Sequence, residues 1–133
     1  MGGQLFISGK GYDFTDNFSI VYPFLYNHKV WLAVEQCFQA QKFDRDSEPY
    51  IKILKSHDYA EWMQLGRWNT MKYNLDEWDT IKSDVMEKII REKVKHNNLI
   101  TQLKHIQGNF ESSGSEWSKI NANIWNKIKD EIQ

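Results

Sequence analysis

The sequence predicts a mostly helical α+β fold with a small β-sheet or hairpin near the N-terminus. Short runs rich in β-branched and aromatic residues lie before residue 33. After it, apolar residues at helical spacing and helix-capping residues prevail. The chain has 133 residues, enough for one hydrophobic core and too few for two of ordinary size. We therefore expect a single domain over residues 1–133.

Three short strands are predicted before residue 33. They are residues 4–8, 18–26 and 29–32. A Gly-Lys-Gly run at residues 9–11 would form the turn after the first strand, and residues 27–28 the turn between the other two. Pro23 has no backbone N–H to donate, so the second strand is expected to lie at an edge or to be bulged.

Six helices are predicted after the strands. They are residues 34–43, Glu48–Lys55, Tyr59–Leu65, a long helix that begins after Asn74, residues 98–106, and residues 121–133. Ser47 with Pro49 indicates one helix start, Ser56 or Asp58 could cap the next helix, and Gly66 would end it. Residues 109–120 are rich in serine and are expected to form a loop.

The longest predicted helix carries an apolar stripe that must pack against the rest of the protein. The stripe consists of Leu75, Trp78, Ile81, Val85, Ile89 and Val94. Charged residues on the other faces form pairs four positions apart, which is typical of a solvent-exposed surface.

Composition excludes several classes of protein. Seventeen basic and eighteen acidic side chains give a net charge of −1, so no overall field would attract nucleic acid or an anionic membrane. A single cysteine, Cys37, excludes an internal disulfide framework and favours a reducing cytoplasm, and we expect it to pack in the core. No apolar run is long enough for a membrane span, and no secretory leader is recognised. The four histidines lack metal-ligand spacing, so no metal site is predicted.

The stretch at residues 34–43 carries three polar residues on one face of its helix. Glu35, Gln39 and Lys42 are spaced i, i+4 and i+7. Such a row is most often a solvated helix face. The alternative is a functional site beside the core, in which a carboxylate, an amide and an ammonium line up.

Four segments in succession resemble the NADAR family of small N-glycosidases: VEQCFQAQKF, LGRW, EWDTIKSDVM and EKVKHNNLITQL. The family's glutamate followed by Gln-Ala-x-Lys-Phe has its match in the first segment, its Gly-Arg in the second, and its Trp-x-x-x-Lys-x-x-x-Met in the third. An N-terminal Asn-Phe pair matches as well. The matched positions are Asn17, Phe18, Glu35, Gln39, Ala40, Lys42, Phe43, Gly66, Arg67, Trp78, Lys82 and Met86.

The last third of the chain departs from the family pattern. Glu111 fits the family's glutamate, but Glu116 stands where an aspartate is usual, and Ser118 follows Trp117 where glycine is usual. Several residues of the glycine-rich loop are missing. A carboxylate displaced by about 1 Å can lower a rate on the order of 100-fold, so this segment bears on turnover.

The resemblance implies a hydrolase that cleaves a base–ribose N-glycosidic bond without a metal or redox cofactor. A carboxylate beneath the sugar stabilises the oxocarbenium-like transition state or directs a water, and an aromatic plane holds the base. Glu35 would be the main catalytic group and Glu116 a second carboxylate. The substrate-binding residues would be Asn17, Phe18, Gln39, Lys42, Arg67, Trp78, Lys82 and Trp117. For Trp78, core packing is an equally good interpretation, and for Lys42 a plain surface charge is the alternative.

The implied substrate is a small nucleotide or an ADP-ribosylated base, such as a riboflavin-pathway intermediate or ADP-ribosyl-guanine. Nucleic acid enters only as the carrier of the modified base. A second interpretation is a catalytically weakened module that binds a nucleotide or ADP-ribose. A third is a helical interaction protein that holds a partner through its Trp-rich surface. The sequence does not predict the oligomeric state.

Overall fold

Two antiparallel β-hairpins precede the helices in the computed structural model, which describes residues 2–67 and 71–133. Strand β1 (Leu5–Ile7) pairs with β2 (Lys10–Tyr12), and β3 (Phe24–Tyr26) pairs with β4 (Lys29–Trp31). The hairpins form two separate two-stranded sheets. A short 3₁₀ turn, Asp13–Thr15, follows β2.

The first hairpin corrects one predicted turn. Ser8 and Gly9 both have positive φ, 49° and 84°, as a two-residue hairpin turn requires. Lys10 therefore begins β2, and the prediction of a turn over residues 9–11 is wrong. The predicted turn at residues 27–28 is confirmed, because Asn27 and His28 also have positive φ.

The predicted strand over residues 18–26 is too long. Only Phe24–Tyr26 is a strand. Residue 18 instead belongs to a turn in which the Asp16 side chain accepts a hydrogen bond from the Phe18 N–H at 2.9 Å. Such local side-chain bonds compete with a strand for the backbone.

Six α-helices make up most of the rest of the described residues. They are α1 (Val34–Ala40), α2 (Glu48–Lys55), α3 (Tyr59–Leu65), α4 (Leu75–His96), α5 (Ile100–Leu103) and α6 (Glu116–Ile132). The bounds of α2 and α3 are those predicted. The start of α4 is also confirmed, because Asn74 and Glu77 cap it reciprocally, each side chain accepting from the other's backbone N–H.

Three predicted helices differ from the structure. Helix α1 ends at Ala40, three residues early. Helix α5 has only four residues. It does not start at Asn98, because this residue adopts a left-handed φ of 51°. Helix α6 begins at Glu116 rather than at residue 121, because the Ser115 side chain caps it by accepting from the Ser118 N–H. The predicted loop is therefore shorter than residues 109–120.

The core surrounds α1, all seven residues of which are buried. Helices α2, α3 and α4 pack against it, and Phe38, Met86 and Trp125 are among the buried side chains. The predicted stripe of α4 is buried at three of its six positions, and Leu75 is 75% exposed, so the buried stripe begins at Trp78. No helix in the described part of the chain is both long and apolar enough to cross a membrane.

Candidate functional site

The polar row of α1 lies inside the protein. Glu35 is fully buried, Gln39 is 2% exposed, and Lys42 just beyond the helix end is half-buried. The Gln39 Nε2 donates a hydrogen bond of 2.8 Å to the Glu35 Oε1. The interpretation as a solvated helix face is therefore wrong for the carboxylate and the amide. Burying a carboxylate costs free energy unless it is hydrogen-bonded, and the Gln39 amide supplies such a bond to Glu35.

Asn17 connects the Glu35 end of α1 to α4. Its backbone carbonyl accepts a 2.8 Å hydrogen bond from the Glu35 N–H, which is one of the helix N–H groups without an intrahelical partner. Its side-chain Nδ2 lies 3.8 Å from the Met86 Sδ. Phe18, the next residue, is half-buried and packs edge-on against Tyr59 with ring centroids 5.8 Å apart.

Gly66 lies against the Gln39 side chain at the end of α3. A Cβ built on Gly66 would stand 1.9 Å from the Gln39 Oε1, so the contact accommodates only a hydrogen atom. The Gly66 carbonyl accepts a 3.3 Å hydrogen bond from the Lys42 Nζ. Among the described residues the Gln39 Oε1 is a buried acceptor with no hydrogen-bond partner. The sequence alone indicates Gly66 only as the end of a helix and as part of a motif.

A pocket of about 630 Å³ opens beside this contact. Its described lining is Lys42, Gly66, Arg67, Met71, Tyr73, Asn74, Leu75 and Trp78. Trp78 packs on Phe38 at a centroid distance of 5.2 Å and on Tyr73 at 5.6 Å. Trp78 thus belongs to both the core and the pocket wall, so the two interpretations of this residue are compatible. The motif residue Trp68 lies outside the described residues.

Two cations face the pocket. The Lys42 Nζ lies 5.8 Å from the centroid of the Trp78 ring, and Arg67 is exposed. Burial, and to a lesser extent the neighbouring Arg67 charge, lower the pKa of Lys42 to about 8. An ammonium with few interactions with water and a guanidinium beside it can both bind phosphate oxygens.

The first turn of α6 holds Glu116 and Trp117 near α4. The exposed Glu116 carboxylate forms an ion pair with the Lys82 Nζ, and this hydrogen bond raises the pKa of Lys82. Trp117 is half-buried, with its ring centroid 5.0 Å from that of Phe38 and 5.6 Å from the Lys82 Nζ. Phe38 therefore contacts both tryptophans of the predicted site. Glu111 instead pairs with β1, where its backbone N–H donates to the Phe6 carbonyl.

The structure brings together most of the predicted site residues but does not expose the predicted catalytic residue, Glu35, to the pocket. Glu35, Gln39, Lys42, Arg67 and Trp78 follow one another around the Gly66 contact. Glu35 is nonetheless absent from the described residues that line the pocket, and it lies behind Gln39 and Gly66. Within residues 2–67 and 71–133, no group of three His, Cys, Asp or Glu side chains is arranged to hold a metal ion.

Gln36 is a buried residue that sequence reasoning missed. Its Oε1 accepts from the Leu32 N–H at 2.7 Å. Its Nε2 lies 3.1 Å from the carbonyls of Ile53 and Leu54, to which it donates, and 3.3 Å from that of Ser56. The side chain thereby fixes the start of α1, and with it the neighbouring Glu35, to the end of α2. The sequence around Gln36 does not reveal this role, because the carbonyls that it binds lie 17 to 20 residues away.

Comparisons with known proteins agree with the fold and the motif. The NADAR domain model matches residues 11–110. Among solved structures, the chain is similar to the NMR structure of the E. coli protein YbiA, at 20% sequence identity and a TM-score of 0.69, over 96% of this chain and 82% of that one. At this identity the likeness shows the fold alone, and it confirms the predicted α+β class. A comparison with curated proteins gave no match.

Proposed function

The chain belongs to the NADAR family, known in general as N-glycosidase-like, and from this premise we propose that it hydrolyses the bond between a base and a ribose. The observation that carries the proposal is the buried carboxylate of Glu35, held at 2.8 Å by the Gln39 amide one helical turn away. An oriented carboxylate in a water-poor environment is the group that stabilises developing positive charge on a sugar.

The proposed reaction breaks the C1–N bond of the ribosyl group. The base leaves with the electron pair of that bond and takes up a proton from solvent, to which Glu35 returns its own proton at the end of the cycle. A water oxygen bonds to C1, and the proton that this water loses passes to the Glu35 carboxylate. The Glu35 charge stabilises the oxocarbenium-like transition state between these two events. Gln39 fixes the orientation of the carboxylate, because its Nε2 donates to the Glu35 Oε1.

The pocket supports a substrate with a base and at least one phosphate. Trp78 offers an aromatic surface, and base stacking on such a surface contributes about 1–3 kcal/mol. Lys42 and Arg67 supply positive charge beside it. Two substrates combine these features: a ribosylamino-pyrimidine phosphate of the early riboflavin pathway, and ADP-ribosyl-guanine, free or carried on nucleic acid. Asn17, Phe18, Lys82 and Trp117 are proposed to complete the binding site, and Glu116 to serve as a second carboxylate.

A second candidate function is a module that binds a nucleotide or ADP-ribose without turnover. Two observations favour it. Glu35 is not among the described residues that line the pocket, and the Glu116 carboxylate is exposed and paired with Lys82. In this alternative the cations and Trp78 retain affinity, whereas the shortened segment around Glu116 no longer supports hydrolysis.

Hydrolysis in ¹⁸O-labelled water separates the two candidates. The protein is incubated with ADP-ribosyl-guanine and with a ribosylamino-pyrimidine phosphate, and products are followed by mass spectrometry. The glycosidase predicts free base without label and a sugar that carries one ¹⁸O atom. Absence of base release from both substrates, with ADP-ribose still raising the melting temperature, would replace the enzyme with the binding module. No release and no thermal shift would contradict both.

A further inference from the structure

Lys93 is a lysine enclosed in the core. It lies on α4 and is only 1% exposed. Its Nζ donates a 3.1 Å hydrogen bond to the Asp16 backbone carbonyl and lies 5.4 Å from the centroid of the Tyr22 ring. It also lies 6.0 Å from the centroid of the Trp125 ring. Burial lowers the pKa of Lys93 to about 7, although the carboxylates of Asp16 and Asp13 raise it.

Stability alone does not account for this lysine. A buried cation loses its hydration, and replacing buried charges with apolar residues of similar volume is often neutral or stabilising. One backbone carbonyl, two aromatic rings and the charges of Asp16 and Asp13 compensate only part of that loss, because the pKa remains lowered. The hydrogen bond to Asp16 lies beside a residue that contacts α1, and this location indicates what Lys93 does.

The Lys93 hydrogen bond ends one residue before Asn17. The Asn17 carbonyl accepts the Glu35 N–H at 2.8 Å, and the Asn17 Nδ2 lies 3.8 Å from the Met86 Sδ. Met86 and Lys93 are seven positions apart, two turns of α4, and so share one face of the helix. That face therefore contacts the 16–17 turn at two points, the Asp16 carbonyl and the Asn17 side chain. Through the Asn17 carbonyl, residues 16–17 also contact Glu35 at the start of α1.

We propose that Lys93 is a positioning residue for Glu35, because its ammonium fixes the Asp16 carbonyl and thereby the Asn17 carbonyl that accepts the Glu35 N–H. The link from α4 to α1 rests on the two hydrogen bonds at Asp16 and Asn17. Its catalytic consequence rests on the proposed function, in which Glu35 is the reacting carboxylate. Without the ammonium, the turn shifts and the Glu35 carboxylate loses its alignment. Misplacement by about 1 Å can lower a rate about 100-fold.

The link is tested by hydrogen exchange of the Glu35 amide, measured by NMR in Lys93→Met. Methionine keeps the unbranched stem and removes the ammonium. Lys129→Met is the matched control, because Lys129 on α6 is also buried and its Nζ lies 3.7 Å from Asp130. We expect the Glu35 amide to exchange at least about 10-fold faster in Lys93→Met and at the wild-type rate in the control. Equal exchange in Lys93→Met and wild type would overturn the proposal.

If Lys93→Met does not fold, the link is tested by an NMR pH titration of the wild-type protein. The side-chain resonances of Lys93 report its own ionisation, and the groups that face it are Asp13, Asp16 and the Tyr22 phenol. The Glu35 amide shift should follow the Lys93 titration midpoint. A Glu35 shift that is flat across that midpoint would contradict the link.

Kinetics test the catalytic consequence separately. In Lys93→Met the kcat for base release should fall about 10- to 100-fold, with KM changed less than about 2-fold and the melting temperature unchanged or raised. Adding Lys93→Met to Glu35→Gln should lower the rate no further, because both changes act on one group. Equal factors in both backgrounds would overturn the positioning role. If the wild type releases no base, the proposed function fails, whereas amide exchange still decides the link.

Discussion

Gly66 occupies a position at which a single methyl group would displace the Gln39 side chain. Its backbone has φ −67° and ψ −11°, which alanine adopts readily, so Gly66→Ala should fold. The added Cβ would nevertheless stand 1.9 Å from the Gln39 Oε1 and push the amide away from Glu35. We expect base release to fall at least about 10-fold in steady-state assays, with a smaller effect on the melting temperature.

Gly3→Ala is the control for this prediction, because no atom lies within 4 Å of a Cβ built on Gly3. It should retain the wild-type rate. A Gly66→Ala protein with full activity would show that the orientation of Gln39 is irrelevant to turnover.

Lys42 makes anion binding dependent on pH. Its pKa of about 8 means that the ammonium is charged below pH 8 and becomes neutral as the pH rises through that value. The affinity for ADP-ribose, measured by calorimetry, should therefore be highest below pH 8 and decline above it. The same decline should be absent in Lys42→Met, which has no charge to lose.

Arg67→Gln provides a second readout of the same effect. Removing the neighbouring cation raises the pKa of Lys42, so the decline in affinity should move to higher pH, even if binding is weaker at every pH. A decline that stays at the wild-type pH would contradict the assigned coupling between Lys42 and Arg67.

At the scale of elements, Gln36 is the side chain that connects the start of α1 to the end of α2. Gln36→Ala would leave the Leu32 N–H and three carbonyls of residues 53–56 without this partner. The Ile53 and Ser56 carbonyls keep the Ser56 N–H and the Trp62 Nε1–H as donors, so the loss falls mainly on the Leu32 N–H and the Leu54 carbonyl. Each unsatisfied buried group contributes about 1–3 kcal/mol of destabilisation, reduced where water enters. We expect a loss of about 2–4 kcal/mol in urea unfolding.

Gln102→Ala on α5 is the matched control, because Gln102 is exposed. Its free energy of unfolding should stay within about 0.5 kcal/mol of the wild type. A Gln36→Ala protein as stable as this control would mean that the α1–α2 connection rests on other contacts.

The sequence predicted the elements whose ends are marked by local chemistry. Asn74 caps α4 and Asp58 caps α3 by bonds to backbone N–H groups two or three residues away, and such signals can be recognised in the sequence. The start of α6 is not predicted, because the serines of that segment are typical of a loop, whereas Ser115 is a cap. The strand over residues 18–26 was overextended because an Asx turn at Asp16 outweighs β propensity.

The sequence predicts which side chains share one face of α1, but not how deeply they are buried. Helical spacing put Glu35 and Gln39 on one face, and the family resemblance selected them. Their burial depends on α3 and on the turn at Asn17, whose contacts join residues far apart in the sequence. The pairing of Glu116 with Lys82 likewise follows from the packing of α6 near α4, which periodicity does not reveal.

For the whole molecule, buried lysines set the dependence of stability on pH. The pKa of Lys93 falls from an ordinary 10.5 to about 7 in the folded protein, so above pH 7 the unfolded chain binds the additional proton. The free energy of unfolding should therefore rise with pH from 7 to 9. Lys42 acts in the same direction above pH 8. Burial raises the pKa of the Cys37 thiol, which opposes the trend only near and above pH 9.

Lys93→Met isolates this contribution. The slope of unfolding free energy against pH between 7 and 9 should decrease by up to about 1.4 kcal/mol per pH unit, the limit for one proton. Chemical denaturation at five pH values measures it, with Lys129→Met as the reference. Parallel slopes for Lys93→Met and wild type would show that Lys93 stays protonated in the core.

The central claim is that the carboxylate of Glu35 carries the reaction. It is tested most directly by Glu35→Gln, which keeps the size of the side chain and removes its charge. We predict that base release falls at least about 1,000-fold, whereas the dissociation constant for ADP-ribose and the melting temperature change little. A Glu35→Gln protein that folds, binds ADP-ribose and releases base at the wild-type rate would contradict the account.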